Sequence, residues 1–171
     1  MKTLLIAFLA LTFSINVNAQ DSTNHQHKDH LKTLVSEYLQ LKDALVASEF
    51  DEAKSHLSNF SEEVNNNAEM MDHSEKHGEM HEEHHGAMAS AIESAQKAEN
   101  IKELRASFEG ISDQLVKAIE NQGFEDEQLF VQFCPMADGG DGAHWISNAK
   151  EIKNPYYGSM MLTCGKVVKE L

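Results

Sequence analysis

The chain has 171 residues, ten of them histidine, eight methionine and two cysteine, with 28 acidic against 14 basic side chains and a formal charge of −14. That field repels nucleic acid and anionic lipid surfaces and draws cations, so nucleic acid is excluded as a partner, although an acidic surface also serves solubility alone. The length suits one domain with a real core rather than two.

Residues 1–19 read as a secretory signal peptide. Lys2 precedes an apolar run from Leu4 to Phe13, and Val17-Asn18-Ala19 forms a small-residue cleavage site. The run is shorter than the roughly 20 apolar residues a spanning helix needs, so no membrane span is expected once the signal is removed. Cleavage after Ala19 would leave 152 residues in the periplasm. In an exported protein, the pair Cys134 and Cys164 is read first as a disulfide.

Residues 20–30 are polar and aperiodic, and a mobile lead-in is expected there. From His30 the pattern changes. Leu31, Leu34, Val35, Tyr38, Leu41 and Leu45 recur at three- and four-residue spacing, one apolar stripe on a helix. Ser48 to Asp51 resembles a capping box opening a second helix, with Ala53, Leu57, Phe60 and Val64 on its inner face. Met88, Ile92 and Ala95 suggest a short third helix. Asn100 and Glu103 give a start signal for a fourth, whose stripe runs Ile101, Leu104, Phe108, Ile111, Leu115 and Ala118 to a stop at Gly123. Stripes of this kind are buried against one another. The expected fold is mainly α, an antiparallel three- or four-helix bundle over residues 31–171, ending in a small irregular α/β segment at 124–171 that carries both cysteines. Leu129 to Phe133 is the candidate strand. Asp138 to Gly142 reads as a glycine loop, and Asn154 to Gly158 as a turn.

Residues 68–88 interrupt this plan with four of the eight methionines and five of the ten histidines. On a continuous helix Met70, His73, His77, Met80, His81, His84 and Met88 share one face, directed to water, with His85 beside them. Imidazole suits Cu(II) and thioether suits Cu(I), so the stretch reads as a weak, low-specificity copper-capture site; the plainer alternative is a polar acidic loop. His25, His27 and His30 could add to it. His81-Glu82-Glu83-His84-His85 satisfies the zinc-protease pattern, but its charged flanks, the glycine that follows and the lack of a marked third ligand argue against protease activity. Asp138 to Gly142 has too few oxygen ligands for a calcium loop. No nucleophile with a base is visible, so no enzymatic activity is expected.

In the tail, Cys134-Pro135-Met136 and Met160-Met161-Leu162-Thr163-Cys164 place a thiol near a thioether twice. Met161 and Cys164, three apart, would face one way on a turn of helix. Two thiols and one or two thioethers make a soft, low-coordination site that favours Cu(I), with Ag(I) or Zn as options. A structural disulfide with core-filling methionines is the competing reading. A thioredoxin-like redox role is not expected, since neither thiol has a Cys-x-x-Cys partner beside it.

The tail also carries a resemblance. Phe133-Cys134-Pro135-Met136, Gly142-Ala143-His144-Trp145, Ser147, Asn154-Pro155-Tyr156-Tyr157-Gly158 and Met161-Leu162-Thr163-Cys164-Gly165 together resemble the C-terminal signature of a small periplasmic domain of unknown function. That domain occurs alone or appended to adaptor subunits of copper and silver efflux systems. The stretch from Tyr38 to Lys54 is similar to its first two helices. The resemblance implies metal-ligand roles for Cys134, Met136, Met161 and Cys164. His144 stands where an aromatic is expected and is an added candidate ligand. The function so implied is periplasmic copper or silver binding for sequestration or hand-off in heavy-metal resistance, with an efflux adaptor as the protein partner. The alternative is a disulfide-held interaction module of the cell envelope.

Overall fold

The computed structural model describes residues 19–71 and 78–171, with side chains described over 28–66 and 86–171. Four helices, α1 (Ala19–Ala47), α2 (Phe50–Met71), α3 (Gly78–Gln96) and α4 (Ile101–Gln122), precede three strands, β1 (Phe130–Cys134), β2 (Ala143–Ser147) and β3 (Lys166–Glu170). The expected helical bundle is present. The tail is more regular than its sequence suggests: an antiparallel sheet in the order β2-β1-β3. Among the described residues no helix is long and apolar enough to cross a membrane. Of residues 1–19, where a signal peptide is expected, 1–18 lie outside them.

The stripes read from the sequence are the core. Leu41, Leu45, Leu57, Phe60, Leu104, Phe108, Ile111 and Leu115 are wholly buried, and Tyr38 stacks on Phe108 with ring centres 5.1 Å apart. Asn100 caps α4 as expected, accepting from the amides of Lys102 and Glu103, while the Glu103 carboxylate accepts from the Glu99 amide at 2.8 Å. Gly123, at φ 77°, closes the helix through its amide to the Ile119 carbonyl.

Three expectations change. The lead-in from Gln20 is helical backbone, continuous with α1. The third helix starts ten residues before Met88, at Gly78, and runs through Gly86. The Ser48–Asp51 capping box is absent. Ser48 instead terminates α1 in the left-handed region at φ 65°, its amide on the Leu45 carbonyl and the Glu49 amide on the Ala44 carbonyl. That is a Schellman closure built on serine in place of the usual glycine.

A buried polar relay fixes the sheet to the bundle. The Ile146 amide donates to the Tyr38 hydroxyl at 3.0 Å, Tyr38 lies 2.7 Å from the Ser112 hydroxyl, and Ser112 donates to the Phe108 carbonyl at 3.0 Å. Because Ser112 spends its proton on Phe108, Tyr38 is the donor to Ser112. Burial pushes the Tyr38 hydroxyl well above its usual pKa, so it keeps that proton.

Candidate functional site

The site is assembled by two segments that meet at the end of β1. Cys134 is the last ladder residue of β1, opposite Ala143, and Pro135, which has no amide proton, ends the strand. The chain then turns, with the Ala137 amide on the Cys134 carbonyl at 3.3 Å. Side chains alternate across a strand, so Cys134 shares a face with Gln132, Ala143 and Trp145. Phe133 and His144 point to the other face, where their rings sit 4.7 Å apart. The fold therefore separates His144 from the thiol it was expected to assist.

The second segment is organised by Asn154. This residue is wholly buried and uses every polar group it has. Its side-chain oxygen accepts from the amides of Tyr156 (2.8 Å) and Tyr157 (3.3 Å), an Asx turn. Its side-chain amide donates to the Cys164 carbonyl at 2.8 Å, and its backbone amide donates to the Leu162 carbonyl at 2.8 Å. Met161 and Cys164 lie on a hydrogen-bonded turn, the Cys164 amide 3.0 Å from the Met161 carbonyl, rather than on a helix. The two tyrosines tie this segment to the first: Tyr156 donates its hydroxyl to the His144 carbonyl, and Tyr157 to the Met136 carbonyl.

The second segment rests on Arg105, which also reaches the end of α1. Its guanidinium donates from Nε to the Pro155 carbonyl (2.8 Å) and from Nη2 to the Leu45 carbonyl (2.6 Å) and the Ser48 hydroxyl (2.9 Å). A cation thus sits on the carbonyl end of α1, where the helix dipole favours it. Gly158, at φ 56°, lies against this group; a Cβ there would come within 2.6 Å of Nη2 and 2.9 Å of the Val46 carbonyl. Gly165 similarly lies on the indole of Trp145, with 2.7 Å left to a Cβ.

The outcome is that the sulfurs of Cys134 and Cys164, thirty residues apart, stand 2.7 Å from each other as thiols, with no disulfide formed. Cys134 is fully buried and Cys164 half-buried, so Cys164 is the sulfur facing the surface. The hydrogen bond to Cys134 is the main cause that raises the Cys164 pKa, followed by desolvation, while the Met136 amide pulls the other way. Met136 on one turn and Met160 on the other are exposed, at 54% and 74%, with Leu162 at 38%; Met161 is half-buried.

No group of three or more His, Cys, Asp or Glu side chains gathers to hold a metal among the described residues. The thiol pair, with methionines two to four residues away along the chain, is the soft group that the described residues bring together. Of the 68–88 candidates, Met88 is a correction: at 7% exposure it belongs to the core with Ile92, not to a solvent-facing ligand row. Met70 lies in the last turn of α2, and Met80, His81, His84 and His85 in the first half of α3, with side chains outside the described set. His73 and His77 fall outside the described residues altogether. His30 is buried and bonded to Glu63 at 2.7 Å, which removes it from any ligand row.

Arg105 left a faint trace in the sequence, a cation set directly against the apolar stripe of Leu104 and Phe108. Asn154 left a clearer one as an amide before proline in a turn.

Comparison with known proteins gives one family. A family described as protein of unknown function, DUF3347, matches residues 34–127. The match takes in the C-terminal half of α1 and all of α2 to α4, includes the Met/His stretch, and stops before β1. The tail motif on which the sequence resemblance was drawn lies outside it. No curated protein and no solved structure matches.

Proposed function

We propose, for a chain that belongs to the DUF3347 family of proteins of unknown function, that it is exported and binds a soft monovalent cation, Cu(I) first and Ag(I) second, for sequestration or hand-off in heavy-metal resistance. The observation that carries this reading is the meeting of two thiols, Cys164 facing the surface and Cys134 buried behind it, with thioethers on both turns that deliver them. Two thiolates offer the low-coordination soft donor set that such ions select, and a neutral thioether adds affinity without further charge. The chain's own residues do three things. Asn154 and Tyr157 hold the two turns together, Trp145 and Gly165 close the inner side, and the Met136 amide stabilises negative charge on Cys164. The Met/His stretch serves as a weaker collecting site, and an efflux adaptor is the natural recipient. The role is binding, not catalysis.

Titration of the full chain with Cu(I) against a chromophoric chelator tests this. One tight equivalent is expected, with affinity reduced more than about 100-fold by Cys134→Ser, a larger loss than outer-shell changes cause. Unchanged affinity in that variant would end the proposal. Binding also displaces thiol protons. Because the Cys164 pKa lies above that of a free thiol, the protonated form dominates at neutral pH, and the apparent affinity should climb as pH rises toward the thiol range. The expected slope is up to about tenfold per pH unit for each proton displaced.

A second reading rests on the exposed apolar side chains of Met136, Met160 and Leu162, which a protein partner would cover. It predicts retention of partner binding in Cys134→Ser.

A further inference from the structure

The two sulfurs differ in access, and that difference has chemical meaning apart from any metal. Cys164 faces outward, while Cys134 lies behind it with no exposed surface, 2.7 Å away. A thiol pair lacking the Cys-x-x-Cys spacing is still a reactive dithiol when the fold delivers the second thiol from elsewhere in the chain. Here it does so with little freedom left. The Cys164 carbonyl and amide are both bonded, to the Asn154 side chain and to the Met161 carbonyl. The turn after Cys134 is tied to the opposite segment through Tyr157.

We infer that Cys134 and Cys164 form a thiol–disulfide exchange site that takes a small aliphatic disulfide, with Cys164 as the entry sulfur and Cys134 as the resolving sulfur. In the oxidative direction Cys164 gives its proton to solvent and attacks one sulfur of R–S–S–R. The Cys164–S–R bond forms, the R–S–S–R bond breaks, and the departing RS⁻ takes up a proton. Cys134 then loses its proton and attacks the Cys164 sulfur. The intramolecular disulfide forms and the second RS⁻ leaves, to be protonated in turn. The protein dithiol has lost two electrons and two protons, and R–S–S–R has become two RSH. In reverse, an incoming thiolate reaches Cys164 alone, and Cys134 is the leaving group. The inference shares its sulfurs with the proposed metal site but needs no metal.

The test uses the full chain, metal-free and in chelator, equilibrated across mixtures of reduced and oxidised glutathione, then acid-quenched and weighed by mass spectrometry. A single two-electron transition is expected, from dithiol to a species lighter by two hydrogens, with no lasting glutathione adduct and no covalent dimer. Trp145 fluorescence should follow the same transition, because Gly165 packs on its indole. Cys134→Ser should accumulate one glutathione on Cys164, whereas Cys164→Ser should stay largely unmodified. Should either variant fold poorly, alkylation of the wild-type protein followed by peptide mapping gives the same answer: Cys164 is expected to react at least about tenfold faster than Cys134. A persistent mixed disulfide in the wild type, equal reactivity of the two thiols, or oxidation only between chains would overturn the inference. A chain that cycles cleanly yet takes no Cu(I) would refute the metal reading and leave this one standing.

Discussion

Replacing Arg105 by methionine is expected to cost about 3 kcal/mol of folding stability, because it removes three charge-assisted hydrogen bonds and strands the buried carbonyls they served. Those carbonyls belong to Leu45, at the end of α1, and Pro155, in the turn before the thiol-bearing segment. The Ser48 hydroxyl loses its partner as well. For a domain of this size the loss corresponds to a fall of about 10 °C in Tm. Arg105→Lys should recover less than half of it, since one ammonium cannot reproduce the separate Nε and Nη2 donors that the guanidinium holds in a fixed plane. Urea unfolding of the two variants beside the wild type checks both values. A cost below about 1 kcal/mol for the methionine variant would mean that the junction of α1 with the tail is held by packing alone.

The second large effect is expected at Asn154. Asn154→Ala removes the donor to the Cys164 carbonyl and the acceptor that shapes the Tyr156–Tyr157 turn. Free to move, Cys164 spends less time opposite Cys134, and the affinity for Cu(I) should fall by about ten- to a hundredfold, the range seen when residues supporting a metal ligand are removed. Asn154→Asp separates the two contributions. It keeps the acceptor for the tyrosine amides but sets a carboxylate oxygen against the Cys164 carbonyl. Its fold should survive, by circular dichroism, while its metal affinity drops as in the alanine variant. Wild-type affinity in Asn154→Asp would show that the turn alone positions the thiol.

The helical part of this architecture was written plainly in the sequence because each of its signals is local. Leu31 to Leu45 and Ile101 to Ala118 repeat at helical spacing, and Asn100 and Gly123 mark the two ends of α4 within a few residues of the positions they cap. Signals that depend on distant partners were not legible. Ser48 reads as an N-cap from its neighbours, yet the structure uses it as a left-handed terminator, its hydroxyl accepting from a side chain 57 positions away. The strands β2 and β3 are short and sit beside glycine-rich turns, so neither shows a period long enough to register. Ala143 to Ser147 is also buried on both faces, which erases alternation.

The candidate site divides the same way. Residue chemistry pointed to Cys134 and Cys164, but their proximity belongs to the register of β1 with β2 and β3 and to the anchoring of Asn154. Face assignment failed where it required that register: His144 seemed adjacent to the thiols in sequence terms and lies across the sheet from them. By spacing Met88 fits both the apolar stripe of the third helix and the ligand row, and packing with Ile92 decides for core.

The relay through Tyr38 bears on the order in which the molecule comes together. Its amide donor and its hydroxyl are 108 positions apart, and Tyr38 and Ser112 are 74 apart, whereas α1 meets α2, and α3 meets α4, across turns of a few residues. Closing the long spans carries an entropic cost that the short hairpins avoid, so the paired helices can form first and the sheet docks onto them afterwards. Until that late step Cys134 sits on an unmatched strand without its counterpart, open to strangers. The interval before docking is therefore when this chain is most exposed to wrong cross-linking, and a faster-folding bundle would shorten it.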